Sequence, residues 1–133
     1  KIIYTALFVA DTKLLLETFL PVHEKHFGHH STIAYKPEGL GEVMVGRQRT
    51  LKVIARVSDE KADALLVENE LSDNEYPHIT LSVAKGIEPA YSNKMLAIAE
   101  KNHIIELFNE PIFIDVVEGY FDGEKDVIVQ HTE

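Results

Sequence analysis

The chain has 133 residues, which bounds it to one domain, and 45% of them are hydrophobic, enough for one core without disulfide or metal staples. With no Cys it has no disulfide framework, thiolate zinc site or Cys nucleophile, which fits a reducing compartment. Its 22 acidic and 13 basic residues leave a net charge of -9, which repels long duplex nucleic acid and points to a small substrate.

Residues 2–9 are β-branched, aromatic and apolar at both parities, which predicts a central strand covered on both faces. The run is too short to span a bilayer and lacks a small-residue cleavage site, so no membrane segment or signal is expected. A start at Lys1 suggests a processed or trimmed N-terminus. Asp11 offers an N-cap, Leu14, Leu15, Phe19 and Leu20 recur near helical spacing, and Pro21 stops the run, which predicts a short amphipathic helix. Residues 21–30 read as a loop or frayed helix end with four His, and residues 31–36 as a strand ending before Pro37. Gly39, Gly41 and Gly46 mark a loop. Residues 49–57 and 64–68 then read as strands, joined by a polar connection over 58–63 compatible with one helical turn.

After a polar loop over 72–77, residues 78–83 alternate with period two and read as a half-exposed strand. Glu88 and Pro89 start a second helix with Met95, Leu96 and Ala99 on its apolar side and Asn102 as its stop. The C-terminal third reads as two or three strands, over 104–108, 112–120 and 127–131, the last two joined by an Asp122-Gly123 hairpin turn. The order is α+β, in a single domain over residues 1–133.

One pattern, His, any residue, Thr, apolar, occurs twice: His30-Ser31-Thr32-Ile33 and His78-Ile79-Thr80-Leu81. Composition alone gives about 0.3 such strings, so two are unexpected by chance. In a strand, residues i and i+2 share a face. His30 and Thr32 therefore project together while Ser31, Ile33 and Tyr35 point away, and His78, Thr80 and Ser82 oppose Ile79, Leu81 and Val83. Two imidazoles on one open face can serve as acid and base near neutral pH. Phosphodiester cleavage needs that pairing: a base for the attacking water or 2′-hydroxyl, an acid for the leaving oxygen, and hydroxyl donors for the non-bridging oxygens. Thr32 and Thr80 can supply the donors; the spacing does not say which His is acid and which base.

The two motifs resemble those of the two-histidine (2H) phosphoesterase superfamily. Within it, Gly28-His29-His30-Ser31-Thr32-Ile33-Ala34-Tyr35-Lys36-Pro37 and Pro77-His78-Ile79-Thr80-Leu81-Ser82 are most similar to the cyclic phosphodiesterase domain of fungal and plant tRNA ligases and to compact viral RNA-repair-like proteins. Tyr4-Thr5-Ala6-Leu7-Phe8 and Gly119-Tyr120-Phe121-Asp122-Gly123 add weaker support. The resemblance touches most of the chain, and only the two motifs are specific. It implies a bilobal fold with antiparallel sheets lining a central groove and helices outside. It further implies His30 and His78 as the acid and base, with Thr32 and Thr80 as phosphate ligands. The implied activity is metal-independent and cofactor-free hydrolysis of cyclic phosphates or of cyclic or 2′,5′-linked nucleotides. The partner would be a small nucleotide or short oligonucleotide, met in RNA-end processing or in degradation of a nucleotide immune signal. The setting would be the cytoplasm, or the host-cell cytoplasm for a viral protein. A catalytically idle nucleotide-binding module on the same fold is the alternative.

Other residues invite competing readings. His23, His26, His29 and His30, with Glu24, have spacings that suit a metal on a helix. They lack the His-Glu-x-x-His order and flank Pro21 and Gly28, so solvent-exposed polar residues and no metal site are expected. A catalytic His29 is disfavoured because Thr32 would then occupy the apolar position of the motif. Tyr120, beside Gly119, is the candidate for stacking on a base in the groove, with Tyr35, Tyr76 and Tyr91 assigned to core or rim. Lys36 shares the parity of His30 and Thr32, and Lys85 follows the second motif, so both are candidate phosphate-binding cations. Acidic stretches over 68–75 and 118–126 leave a local groove as the phosphate site. No Gly-rich phosphate loop or Ser nucleophile elbow is present.

Overall fold

The computed structural model describes residues 1–130. Its elements in chain order are β1 (Tyr4–Val9), α1 (Thr12–Thr18), β2 (Lys25–His26), β3 (His30–Tyr35), β4 (Gln48–Ser58), β5 (Ala62–Glu68), β6 (His78–Val83), α2 (Tyr91–Lys101), β7 (Leu107–Phe121) and β8 (Asp126–Val127). The fold is α+β, as expected. All strand pairs are antiparallel, in the order β2-β6-β5-β4-β7-β1-β3, with β8 beside β7.

This sheet curls into a half-barrel, and the segment from β2 to β3 links its two ends. Phe27 and Gly28 donate their N–H groups to the Leu81 and Thr80 carbonyls of β6 at 2.8 and 2.9 Å, while Val9 of β1 donates to the His29 carbonyl at 2.9 Å. Gly28 permits the crossing: its φ is +66°, and a Cβ there would meet the Leu16 side chain at 2.9 Å. The two motif strands, β3 and β6, are thereby brought against each other.

The helices cover part of each face of the sheet. Leu15 and Phe19 of α1 pack on the face carrying Leu7, Ile33, Val53, Leu65, Ile79 and Leu81, whereas Met95, Leu96 and Ala99 of α2 pack with Ala62, Ala64 and Val83. Each fully buried Leu or Ile contributes about 1.5–3 kcal/mol. β1 is buried at both parities, from Thr5 to Phe8, as its composition predicts. Asp11 caps α1, its carboxylate accepting from the Leu14 N–H at 3.0 Å. Of the four apolar positions expected on that helix, Leu14 and Leu20 are exposed, because two turns present only Leu15 and Phe19 to the sheet. Asn102 ends α2 as expected, while Pro89 and Ala90 form a turn just before its first residue.

Three expectations change. β6 is not half-exposed: only Thr80 is partly accessible, since its polar face is covered by the β2 segment and the start of α2. The connection before β5 is a tight turn, not helical, with the Asp59 carboxylate accepting from the Lys61 and Ala62 N–H groups at 2.8 Å. The strands predicted over 104–108 and 112–120 are one, β7. Val53 pairs with Ile112 and Ala55 with Leu107, so residues 108–111 bulge opposite β4 and absorb the missing N–H of Pro111.

The Asp122-Gly123 turn is present, with the Asp122 carboxylate accepting from the Glu124 and Lys125 N–H groups and Gly123 at φ +103°. β8 stops at Val127, and His131 of the expected last strand lies outside the described residues. Among the described residues, no helix is long and apolar enough to cross a membrane.

Candidate active site

Strand alternation aims the two motifs at one place. His30 and Thr32 from β3 and His78 and Thr80 from β6 all line a single open cavity of about 660 Å³. Ser31, Ile33, Ile79 and Leu81 turn the other way and are buried. Buried Ser31 is satisfied, because Asn69 donates to its hydroxyl at 3.1 Å.

His78 has its Nδ1 2.8 Å from the Tyr76 carbonyl oxygen, which only accepts, so the ring N–H sits on Nδ1 and Nε2 is bare. Burial lowers the His78 pKa below the usual histidine value, against the opposing effect of that carbonyl. His30 is held differently. Its Nδ1 lies 2.8 Å from Nδ1 of His29, whose Nε2 lies 2.6 Å from the Asp126 carboxylate. The carboxylate accepts, so a His29 ring with one proton carries it on Nε2, accepts at Nδ1, and leaves His30 with its own N–H on Nδ1. Both motif rings therefore offer a bare Nε2. The His30 ring stacks on Tyr4 with centroids 4.8 Å apart. Its pKa is pushed down to about 3, first by burial and then by the neighbouring His29 and His78. The Tyr4 pKa is pushed up to about 12 by burial and by the Asp126 charge.

Thr32 faces the cavity while its carbonyl is tied by the Ser72 hydroxyl at 2.7 Å. Thr80 shares a hydrogen bond of 2.8 Å with the Ser92 hydroxyl and donates weakly to the Pro89 carbonyl, at 3.4 Å. Its hydroxyl must turn to reach a ligand. Phe27, Tyr4 and Tyr35 give the cavity an aromatic wall, and Asn74 and Asn93 add amides; none of the lining residues is Lys or Arg.

The three expected substrate-binding residues do not line this cavity. Thr5 pairs with Ala34 but Ala6 with Thr32, which makes Ile33 the extra residue of a β-bulge in β3. The bulge reverses the parity beyond Thr32. Tyr35, expected to point away, joins the cavity opposite Tyr4, and Lys36, expected to join it, leaves the strand at φ +48° with its Nζ 5.5 Å from the Tyr35 ring centre. Tyr120 pairs with Thr5 and so lies on the other face, while its neighbour Phe121 stacks on Tyr4. Lys85 lies past the far end of β6 from His78, exposed, with its N–H bonded to Glu24 at 3.0 Å.

The His cluster does not assemble. His23 bonds the Asp59 carbonyl through Nε2 at 2.8 Å, His26 lies in β2, and only His29 and His30 meet. Among the described residues, no three His, Cys, Asp or Glu side chains converge to share a metal ion. His23, His29 and His30 are nevertheless half-buried and bonded, not simply solvated.

Sequence reasoning missed Tyr4, Phe27, Asn74, Asn93 and Asp126 as site residues, and it weighed His29 as a rival to His30 and as a member of a metal cluster, not as its support. Tyr4 carried a signal, since it shares parity with Ala6 and Phe8, which pair with Thr32 and His30. Asp126 carried none. It reaches His29 because β8 folds close over Gly119, where a Cβ would meet the Val127 carbonyl oxygen at 2.2 Å. No protein-family model and no curated protein matches the chain.

Proposed function

We propose that the protein is a metal-independent phosphodiesterase of the 2H type, acting on cyclic phosphates or on cyclic or 2′,5′-linked nucleotides. The observation that carries this reading is the convergence of two His-x-Thr motifs, from distant parts of the chain, on one cavity. A bilobal arrangement is part of it. The β3-β1-β7 and β4-β5-β6 halves of the sheet each contribute one motif, with the cavity between them.

In the reaction, one imidazole accepts the proton of water or a 2′-hydroxyl as it attacks phosphorus. The other gives its proton to the departing oxygen, and Thr32 and Thr80 donate to the non-bridging oxygens. Burial favours neutral rings, so the negative charge of the entering substrate draws the required proton onto one of them. With no Lys or Arg in the lining, the site suits the single charge of a phosphodiester. The cavity volume falls in the range of small-molecule sites, which favours a mononucleotide or short oligonucleotide. A cyclic RNA end or a nucleotide immune signal, in the cytoplasm of the producing or host cell, meets these requirements.

Product analysis against 2′,3′-cyclic phosphates, 2′,5′-oligoadenylate and cyclic nucleotides tests the reading. Turnover in EDTA is expected, with a loss of about 10²- to 10⁴-fold or more in His30→Ala and in His78→Ala. Full activity in both variants defeats it. The bond between Thr80 and Ser92 favours a second reading, a binding module, in which a phosphate ligand is held but not turned over. Tight binding without product would establish that reading.

A further inference from the structure

We propose that Asp126 and His29 form a positioning relay that fixes the tautomer of His30 and stabilises its protonated form. The inference rests on the reading that His30 moves a proton at phosphorus, and it adds two residues that belong to neither motif.

With one proton on the His29 ring, the hydrogen bonds permit one polarity. Asp126 accepts from His29 Nε2 at 2.6 Å, and His29 Nδ1 accepts from His30 Nδ1 at 2.8 Å. Both N–H groups point along the chain toward the carboxylate, and the lone pair on His30 Nε2 is left for the cavity. When His30 takes a proton at Nε2, its Nδ1–H bond strengthens onto the His29 Nδ1 lone pair, on a ring that already donates to an anion. The charge is met by two successive charge-assisted hydrogen bonds. That opposes the burial which otherwise resists protonation.

The other titratable groups facing His30 do not supply this effect. Tyr4 from β1 stacks on the ring and is neutral, and a positive charge on His78 from β6 or on His29 itself opposes it, so the relay works through a His29 ring with one proton. Asp126 is the nearby anion, and it acts through His29. Neither residue is needed to close the core: the side chains of His29 and Asp126 are 43% and 32% exposed, and β8 is only two residues long.

Asp126→Asn tests the relay, because an amide N–H can donate to His29 Nε2 and reverse the chain. His29 would then carry its N–H on Nδ1, and His30 would be forced to accept there and to carry its N–H on Nε2. Ring-nitrogen NMR of the free, full chain reads this without any substrate. The expected result is His30 protonated at Nδ1 in the wild type and at Nε2 in Asp126→Asn. With a 2′,3′-cyclic nucleotide, kcat/KM is expected to fall about 10²-fold in Asp126→Asn, with recovery in Asp126→Glu.

The limb of the kcat/KM profile that belongs to His30 should also move to lower pH. A shift of the acid limb assigns His30 as the base, and a shift of the alkaline limb assigns it as the acid. His29→Phe, which keeps a ring against Phe8 but removes both nitrogens, should shift the same limb. A wild-type His30 already protonated at Nε2 overturns the relay. So does an unchanged pH profile in both variants. A tautomer that switches in a protein cleaving none of the phosphates leaves the relay standing and removes the phosphodiesterase reading alone.

Discussion

His78 rests on a backbone carbonyl, that of Tyr76, whereas His30 rests on a side chain, His29, and through it on Asp126. The two motifs match in sequence and in strand context, yet their supports differ in kind. A carbonyl holds one tautomer at any pH. A chain of side chains holds its tautomer only while each member keeps its proton in place. The surroundings follow the same division. At the other end of the strand that carries His78, the fully buried Asp63 carboxylate pairs opposite Ser82 and accepts from Arg56 Nε at 2.9 Å, from the Ser58 and Ser82 hydroxyls, and from the Val22 N–H, tying the segment before β2 to β5 and β6. Near His30, the supporting carboxylate sits on a two-residue strand at the sheet margin. One wall of the cavity is therefore fixed by the fold, and the other is adjustable.

The largest expected effect on stability tests that division. Asp63→Ala leaves Arg56 unpaired and several donors unmet, which should cost about 3–5 kcal/mol, whereas Asp126→Asn should leave the unfolding midpoint nearly unchanged. Urea unfolding of both variants measures the contrast, and equal losses would erase it.

pH gives the next test. Burial lowers the pKa values of His30 and His78 in the folded protein, so between those values and 6.5 the unfolded chain binds more protons. Stability should therefore fall as pH drops below 6.5, with His30 contributing down to about 3. Asp63 adds to the loss at lower pH. Its pKa is held below the ordinary value despite burial, by hydrogen bonds from Arg56 and Ser58 and by the Arg56 charge, so its contribution disappears as pH falls through that lowered value. Replacing both motif histidines by Ala should flatten the fall between pH 4 and 6.5, read as the unfolding midpoint across a pH series.

Local chemistry was legible in the sequence and register was not. The Asp11 cap, the Asn102 stop, the Asp122-Gly123 turn and the inward parity of His30, Thr32, His78 and Thr80 follow from residues within four positions of each other. Tyr35, Lys36 and Tyr120 were misplaced for one reason. Their facing depends on pairing partners far along the chain, and the Ile33 bulge reverses a parity that an unbroken strand would have kept. β6 was misread because alternation reports side-chain polarity and not what covers it: Ser82 is buried against Asp63 and the His23 N–H. Asp126 stands 97 residues from His29, and no local pattern links the two.

The aromatic wall offers a smaller test, on the side of His30. On the proposed nucleotide reading, Tyr35→Ala removes a rim platform, and loss of base stacking worth about 1–3 kcal/mol should raise KM with little change in kcat. Tyr120→Phe, on the opposite face, should change neither. A rise in KM for Tyr120→Phe with none for Tyr35→Ala would restore the unbroken parity and place the substrate elsewhere.

The two lysines are expected to matter least, for different reasons. Lys85 is exposed beyond the far end of β6, and what it gives the structure is its backbone N–H, bonded to Glu24, which any residue but Pro retains. Lys85→Ala should therefore leave kcat/KM unchanged at physiological ionic strength, where a charge at that distance is largely screened. Lys36 lies closer, with its ammonium over Tyr35, and its loss should produce a small rise in KM that disappears at high salt. A large effect of Lys85→Ala that persists in high salt would require direct contact with phosphate, which would move the substrate toward the opposite end of β6, away from both motif histidines.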